Sequence, residues 1–115
     1  MQPETAASVY DMVQAAKRIA QAASGHEYSS FVENWILVSA VERQFGIIGE
    51  ALVRVRDRDP SVFERIPDAS KVVGLRNLIV HGYDAIDPKV LWAIIEDKLP
   101  VLILTLEALQ LSGSE

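Results

Sequence analysis

The residues best suited to chemistry lie in one short segment, Arg76 to Tyr83, with the sequence RNLIVHGY. It contains a permanent cation, a side chain that titrates near neutral pH, and a phenol. The guanidinium of Arg76 can donate two parallel hydrogen bonds to phosphate oxygens, and the imidazole of His81 can transfer protons. Any catalysis by this chain is therefore expected to use this segment.

An arginine and a histidine together can cleave RNA without a metal. A general base removes the proton of a ribose 2′-OH, which attacks the adjacent phosphate while a cation stabilises the charge around phosphorus. DNA lacks this hydroxyl, so such a site would act on RNA only. However, Arg-x4-His is a weak pattern on its own, and the helix dipole also favours both side chains near a helix C-terminus. The spacing alone leaves a structural role open.

The spacing also limits how the two side chains can meet. Five residues along a helix correspond to about 500°, so Arg76 and His81 would lie about 140° apart around an unbroken helix. Either the helix unwinds near His81, where Gly82 would permit it, or the pair meets the same pair of a second subunit. Asn77 could bind phosphate or cap the local backbone. Tyr83 could bind phosphate, pack in the core or receive a modification.

A second group of cations lies near the end of a predicted helix. Arg54 and Arg58 are four residues apart and could share a helix face that guides RNA phosphates. The alternative is a solvated helix end whose charge is partly neutralised by Asp57 and Asp59.

No metal and no cofactor are expected. Glu42 and Glu50 are interpreted as structural or ion-pairing residues, although Glu50 could orient a residue of the motif. No cluster of His, Asp and Glu has metal-ligand spacing. The chain has no cysteine, which excludes zinc-thiolate sites and thiol nucleophiles. It also has no Gly-rich phosphate loop, so it should not itself bind ATP as a catalyst.

Length and charge narrow the class of protein. The 115 residues predict a single domain, 1–115, and the net charge of −5 argues against a generally basic nucleic-acid binder. The N-terminus lacks a signal peptide, and the uncharged stretch from Leu99 to Leu106 is too short to cross a bilayer. A cytoplasmic protein without a membrane partner is expected.

The chain is apolar for its size. Half of its residues are hydrophobic and its mean hydropathy is +0.16. This indicates either an apolar face buried against a partner or an Ala-rich helical composition.

The apolar residues recur with helical periodicity nearly throughout. Helices are predicted at about Thr5–Ala23, Phe31–Arg56, Ala69–Val80 and Asp87–Leu111, with a short turn at Ser61–Arg65. These elements predict an all-α, up-and-down bundle of four or five helices.

Two helix ends are marked by single residues. Gly25 should end the first helix, and Asp87, which is followed by Pro88, should cap the start of the last one.

Other residues should fix the remaining ends and the packing of these helices. Ser30 and Glu33 have the spacing of a capping box for the second helix, and Pro100 should kink or split the last one. Trp35 and Trp92 fall in apolar stripes and are interpreted as core or interface anchors.

The segment from Arg76 to Tyr83 resembles the Arg-x4-6-His motif of HEPN domains. More narrowly, it is similar to the Arg-Asn-x-x-x-His-x-Tyr form of HepT-like toxins, the DUF86 family. Residues 40–51 and 84–99 resemble the second and final helices of this family. The resemblance extends from about Met12 to Leu109.

This resemblance implies a HEPN-like homodimer with the motifs facing a shared cleft, and a ribonuclease toxin of a toxin–antitoxin pair. Arg76 and His81 would be its catalytic pair and Asn77 a supporting polar residue. The implied partner is an MntA-like nucleotidyltransferase antitoxin, which can transfer AMP to the motif tyrosine, here Tyr83, and so silence the toxin.

Two alternatives remain open. The chain could be a non-catalytic helical module that docks a minimal nucleotidyltransferase and binds RNA or nucleotide phosphate through Arg76 and His81. The motif could also be structural.

Overall fold

The computed structural model describes residues 1–81 and 86–113, and in these ranges the chain is helical without any strand. The helices are α1 (Pro3–Ala23), α2 (Tyr28–Glu33), α3 (Trp35–Arg58), α4 (Pro60–Glu64), α5 (Ala69–His81), α6 (Pro88–Asp97) and α7 (Leu99–Gly113). The all-α class predicted from the sequence is therefore confirmed.

Helix α3 is the centre of the bundle. It packs along α1 on one side and along α5 on another, while α7 packs against α1 and α6. The largest fully buried side chains come from five of the helices and include Met12, Phe31, Phe45, Ile48, Leu91 and Leu106. Burying each of them contributes about 1.5 to 3 kcal/mol. Helix α5 joins this core through the buried side chains of Val72, Val73 and Leu75.

The predicted second helix is divided at Asn34. There the backbone leaves the helical region, and the side-chain oxygen of Asn34 accepts a hydrogen bond of 3.0 Å from the amide of Leu37. This cap starts α3 at Trp35 rather than at Phe31. An asparagine side chain competes for backbone amides, which is why it ends one helix and starts another.

The predicted capping box of Ser30 and Glu33 is wrong. Ser30 is instead the third residue of α2, and Glu27 is the N-cap. The Ser30 hydroxyl accepts a hydrogen bond of 3.1 Å from the amide of Glu27, and the Glu27 side chain accepts one from the amide of Ser30. The same two-way capping occurs with the carboxylate before the serine instead of after it.

The two tryptophans differ in environment. Trp92 is partly buried and lies 5.1 Å from the ring of Phe31. Trp35 is the first residue of α3 and is 74% exposed, so its assignment to the core is wrong. The break at Asn34 places it at a helix end that the described residues leave uncovered. Its role as an interface anchor remains a prediction.

Three predicted helix boundaries are confirmed. Gly25 follows α1 with a φ of 79°, the left-handed conformation of a terminating glycine. Asp87 caps α6 by accepting a hydrogen bond of 2.9 Å from the amide of Lys89. The last helix is split at Lys98, two residues before Pro100.

Among the described residues, no helix is long and apolar enough to span a membrane.

Candidate active site

Helix α5 carries Arg76 and His81 on different faces. It stays helical from Ala69 through His81, so the side chains lie about 140° apart around its axis. Arg76 is partly buried toward α3, whereas His81 is exposed on the far side. The helix does not unwind before His81, and the position of Gly82, where unwinding was predicted to be possible, lies outside the described residues.

The stem of Arg76 lies directly on α3 at Gly49. A Cβ added to Gly49 would clash with Arg76 Cβ, and it would also lie 2.7 Å from Arg76 Cγ and 3.3 Å from the Val72 carbonyl oxygen. The two helices therefore approach more closely here than any side chain at position 49 would allow. A Cβ added to Gly46, one turn earlier on α3, would lie at an ordinary contact distance of 3.8 Å from Ile79 Cγ2.

The nitrogen atoms of the Arg76 guanidinium differ in environment. Its Nε atom is buried and has no hydrogen-bond partner among the described residues. Its Nη1 atom donates a hydrogen bond of 3.0 Å to the side-chain oxygen of Asn77. Asn77 and His81 are four residues apart and share the exposed face of α5. Asn77 thus turns the guanidinium from the α3 side toward the face that carries His81.

Sequence reasoning identified Asn77 only as a supporting residue, and it missed Gly49. A signal for Gly49 existed, because Gly46 and Gly49 lie three residues apart within a long helix. Each glycine costs a helix interior about 1 kcal/mol relative to alanine. Paired glycines on one helix face therefore indicate a close helix contact.

Tyr83, the predicted acceptor of AMP, lies outside the described residues, as does Gly82.

Arg54 is directed toward α1 rather than toward Arg76. Its Nε atom donates a hydrogen bond of 3.2 Å to the Ser8 hydroxyl, and its Nη2 atom lies 3.5 Å from a carboxylate oxygen of Asp11. Arg58 is exposed at the end of α3. The structure does not bring either arginine to the Arg76 side chain, and guidance of RNA by the pair stays a prediction.

Glu42 is a partly buried carboxyl group on the α5 side of α3. It lies four residues before Gly46 and seven before Gly49, so the three share one helix face. Burial raises the pKa of Glu42. Among the described residues, no group of three His, Cys, Asp or Glu side chains could hold a metal ion.

An apolar groove of about 610 Å³ lies beside the exposed face of α5. Leu75 and Leu78 of α5 line one side, and Val90 and Ile94 of α6 line the other. Leu78, which follows Asn77 in the sequence, is 61% exposed. The groove thus leaves a large apolar surface open next to the face with His81.

Lys71 and Lys98 close one end of this groove around Asp68. The Asp68 carboxylate lies 3.7 Å from the ammonium of Lys71 and 3.4 Å from that of Lys98. Asp68 itself has a φ of 59°, which aspartate tolerates better than most residues. These contacts join the start of α5 to the end of α6.

Comparison with known proteins matches residues 12–109 to a family model described as "Ribonuclease HepT-like". The chain is 32% identical over 94 residues to "Putative RNase MJ1380" of Methanocaldococcus jannaschii, covering 82% of this chain and 85% of the relative. It is 26% identical to "Putative RNase MJ1216" of the same organism, covering 82% and 77%. "Putative RNase TTE0752" of Caldanaerobacter subterraneus is also 26% identical, covering 68% and 69%. No solved structure matches at comparable significance.

Proposed function

Because the chain belongs to the HepT-like ribonuclease family, we propose that it is a metal-independent endoribonuclease whose catalytic residues are Arg76 and His81. The observation that carries this proposal is the hydrogen bond between Arg76 and Asn77. It directs a permanent cation toward the helix face that holds His81, and together these groups supply what cleavage of a phosphodiester requires.

The chemistry follows from the two side chains. His81 accepts the proton of a ribose 2′-OH, and the 2′-oxygen forms a bond to the adjacent phosphorus. Arg76 stabilises the added negative charge on the phosphate oxygens. The bond from phosphorus to the 5′-oxygen then breaks, that oxygen takes up a proton from the solvent, and His81 releases to the solvent the proton that it accepted. The products are an RNA ending in a 2′,3′-cyclic phosphate and an RNA with a free 5′-OH.

We further propose that the site is completed by a second copy of the chain. The stems of Arg76 and His81 leave α5 about 140° apart around its axis, so within one chain only the turn of the guanidinium toward Asn77 reduces their separation. The apolar groove of Leu75, Leu78, Val90 and Ile94 lies beside the His81 face. A twofold contact over this groove would bury it and bring two copies of the motif together.

Cleavage of RNA by the purified protein in excess EDTA tests the catalytic proposal. Wild type should cleave the RNA. His81→Ala should cleave it about 10²- to 10⁴-fold more slowly, which is typical for removal of a general base. His26→Ala is the matched control, because it removes the other histidine, which hydrogen-bonds to Ser30 far from the motif in sequence. Equal rates for wild type and His81→Ala would refute the catalytic role.

The proposed regulator is a nucleotidyltransferase antitoxin that transfers AMP to Tyr83 in the cytoplasm. This proposal rests on the resemblance of the motif, in which Tyr83 follows His81 by two residues. A phosphodiester at that position would add negative charge two residues from His81 in the sequence and would compete with RNA phosphate. The test is intact-mass spectrometry after incubation with such an enzyme and ATP. An AMP adduct should form on wild type and be absent from Tyr83→Phe.

A non-catalytic binding module is the second candidate, since Arg76 could bind phosphate without turnover. It predicts that RNA stays intact while Arg76→Ala weakens RNA binding. Electrophoresis of the RNA recovered from the binding assay separates the two functions.

A further inference from the structure

We propose that Gly49 of α3 is a positioning residue for Arg76. The missing side chain at position 49 lets α5 approach α3 so closely that the stem of Arg76 lies on the α3 backbone. The Arg76 stem is thereby confined between the two helices, and its Nη1 atom lies where the side chain of Asn77 can accept a hydrogen bond. This inference rests on the proposed function, because it names a residue that determines where the catalytic cation lies.

The contact at Gly49 could not be relieved by a change of side-chain rotamer. An added Cβ would clash with Arg76 Cβ, the side-chain atom that is rigidly attached to the backbone of α5. A change of Arg76 rotamer moves the outer atoms but leaves Cβ in place. The carbonyl oxygen of Val72, at 3.3 Å, blocks relief in the other direction. Any residue other than glycine would therefore displace α5 itself.

Displacement of α5 would change the site through Arg76. The hydrogen bond from Nη1 to Asn77 holds the guanidinium, whose Nε atom is buried without a hydrogen-bond partner among the described residues. If α5 moves away from α3, the Arg76 stem loses the backbone on which it packs and can adopt other rotamers, so the guanidinium is no longer confined to the position where it meets Asn77. Misplacement of a catalytic group by about 1 Å can reduce a rate by about 10²-fold.

Gly46 provides a matched control on the same face of the same helix. A Cβ there would meet only Ile79 Cγ2 at 3.8 Å, an ordinary contact. Both Gly46→Ala and Gly49→Ala raise the helix propensity of α3 equally. A difference between the two variants therefore reports the contact with Arg76.

The first experiment follows the Arg76 side chain directly by ¹H–¹⁵N NMR of the arginine Nε–H groups, without any activity measurement. Loss of one resonance in Arg76→Lys assigns the signal. In Gly46→Ala this signal should keep its position and its slow exchange with water. In Gly49→Ala it should shift and exchange at least about tenfold faster, because local opening becomes easier. An unchanged Arg76 signal in Gly49→Ala would overturn the proposal.

A second variant covers the case in which Gly49→Ala does not fold. Arg76→Gly removes the Cβ that clashes, so Gly49→Ala combined with Arg76→Gly should fold as well as Arg76→Gly alone. Circular dichroism and thermal unfolding measure this. If the double variant also fails to fold, the conflict does not involve Arg76 and the proposal is wrong.

Kinetics supply the link to function. Gly49→Ala should lower kcat for RNA cleavage by about 10²-fold, and it should add little to the loss already caused by Arg76→Ala. If both losses multiply fully, Gly49 acts independently of Arg76 and the positioning role is refuted. If wild type does not cleave RNA, the proposed function fails, while the NMR experiment still decides the placement of Arg76.

Discussion

At the scale of single residues, the hydrogen bond from Arg76 to Asn77 decides where the positive charge of the site lies. The Arg76 stem begins on the α3 side of α5, yet its Nη1 atom reaches the exposed face through Asn77. The separation of Arg76 and His81 around the helix is thereby reduced at the level of their functional atoms. In the proposed mechanism, Asn77 therefore orients the cation and does not transfer a proton.

Replacement of Asn77 tests this orientation. In Asn77→Ala the guanidinium loses its acceptor, and kcat for RNA cleavage should fall about tenfold, equivalent to about 1.4 kcal/mol. Asn77→Asp retains an acceptor but adds a negative charge, so it should instead raise KM by repelling RNA phosphate. Steady-state kinetics with a short RNA distinguish the two effects. Identical parameters for both variants and wild type would contradict the assignment.

Glu42 should make stability depend on pH. Burial raises the pKa of this carboxyl group above its ordinary value of 4.5, so the folded state favours the protonated form. Its contribution to stability is full at pH values below the unfolded pKa and is lost as pH rises through the folded pKa. Glu42→Gln should therefore unfold at a higher temperature than wild type at neutral pH.

Thermal unfolding at two pH values checks the Glu42 prediction. The gain in Tm should disappear below about pH 4, where wild type is itself protonated at this position. Glu33→Gln, at an exposed site on α2, serves as the control. A gain for Glu42→Gln that is the same at both pH values would have another cause.

At the scale of elements, the sequence predicted helices by periodicity but not where two of them separate. The stripe of apolar residues continues across Asn34, so the periodicity alone reads as a single helix. Only the local competition of the asparagine side chain for the Leu37 amide ends it. The helix boundaries at Gly25, Asp87 and Pro100 were predicted correctly, because each of these residues acts on the backbone within a few positions of itself.

The site was predictable to a similar extent. Arg76, His81 and their angular separation follow from the sequence and from helix geometry. The approach of Arg76 to Gly49 does not, because it depends on how α3 and α5 cross, which is a contact between residues 27 positions apart. The pairing of Arg54 with Ser8 and Asp11 was missed for the same reason.

Removal of the Asn34 cap tests the break between α2 and α3. Asn34→Ala should lower the free energy of unfolding by about 1 kcal/mol, since the Leu37 amide loses its acceptor. Asn34→Asp should retain most of the stability. Urea unfolding measures both, with Ser39→Ala at an exposed position of α3 as the control. Equal stability of Asn34→Ala and wild type would show that the cap does not stabilise the junction.

Across the whole molecule, exposed apolar side chains occur on more than one helix. Beyond the groove between α5 and α6, the outer face of α7 exposes side chains at spacings of three and four residues, the pattern of a helix that packs against another helix. They are Val101, Leu104, Ala108 and Leu111. The apolar composition of the chain is thus only partly explained by its own core, which supports the interpretation of a partner surface.

A charge in the groove should separate the proposed dimer. Leu78 is 61% exposed in the single chain, so Leu78→Glu should leave folding intact while preventing association and abolishing RNA cleavage. Tyr10→Glu is the control, because Tyr10 is similarly exposed, at 56%, on α1. Analytical ultracentrifugation measures the mass in solution. A Leu78→Glu variant that still forms dimers would exclude this groove as the interface.

The unbroken course of α5 through His81 has a consequence for gene dosage. If one chain cannot bring its own arginine and histidine together, the active species exists only where two chains have met. Below the dissociation constant, its amount rises with the square of the chain concentration, so a tenfold dilution lowers the cleavage rate about a hundredfold. In cells with few copies of the chain, RNA would stay largely uncleaved, whereas a modest rise in expression would increase the cleavage rate steeply.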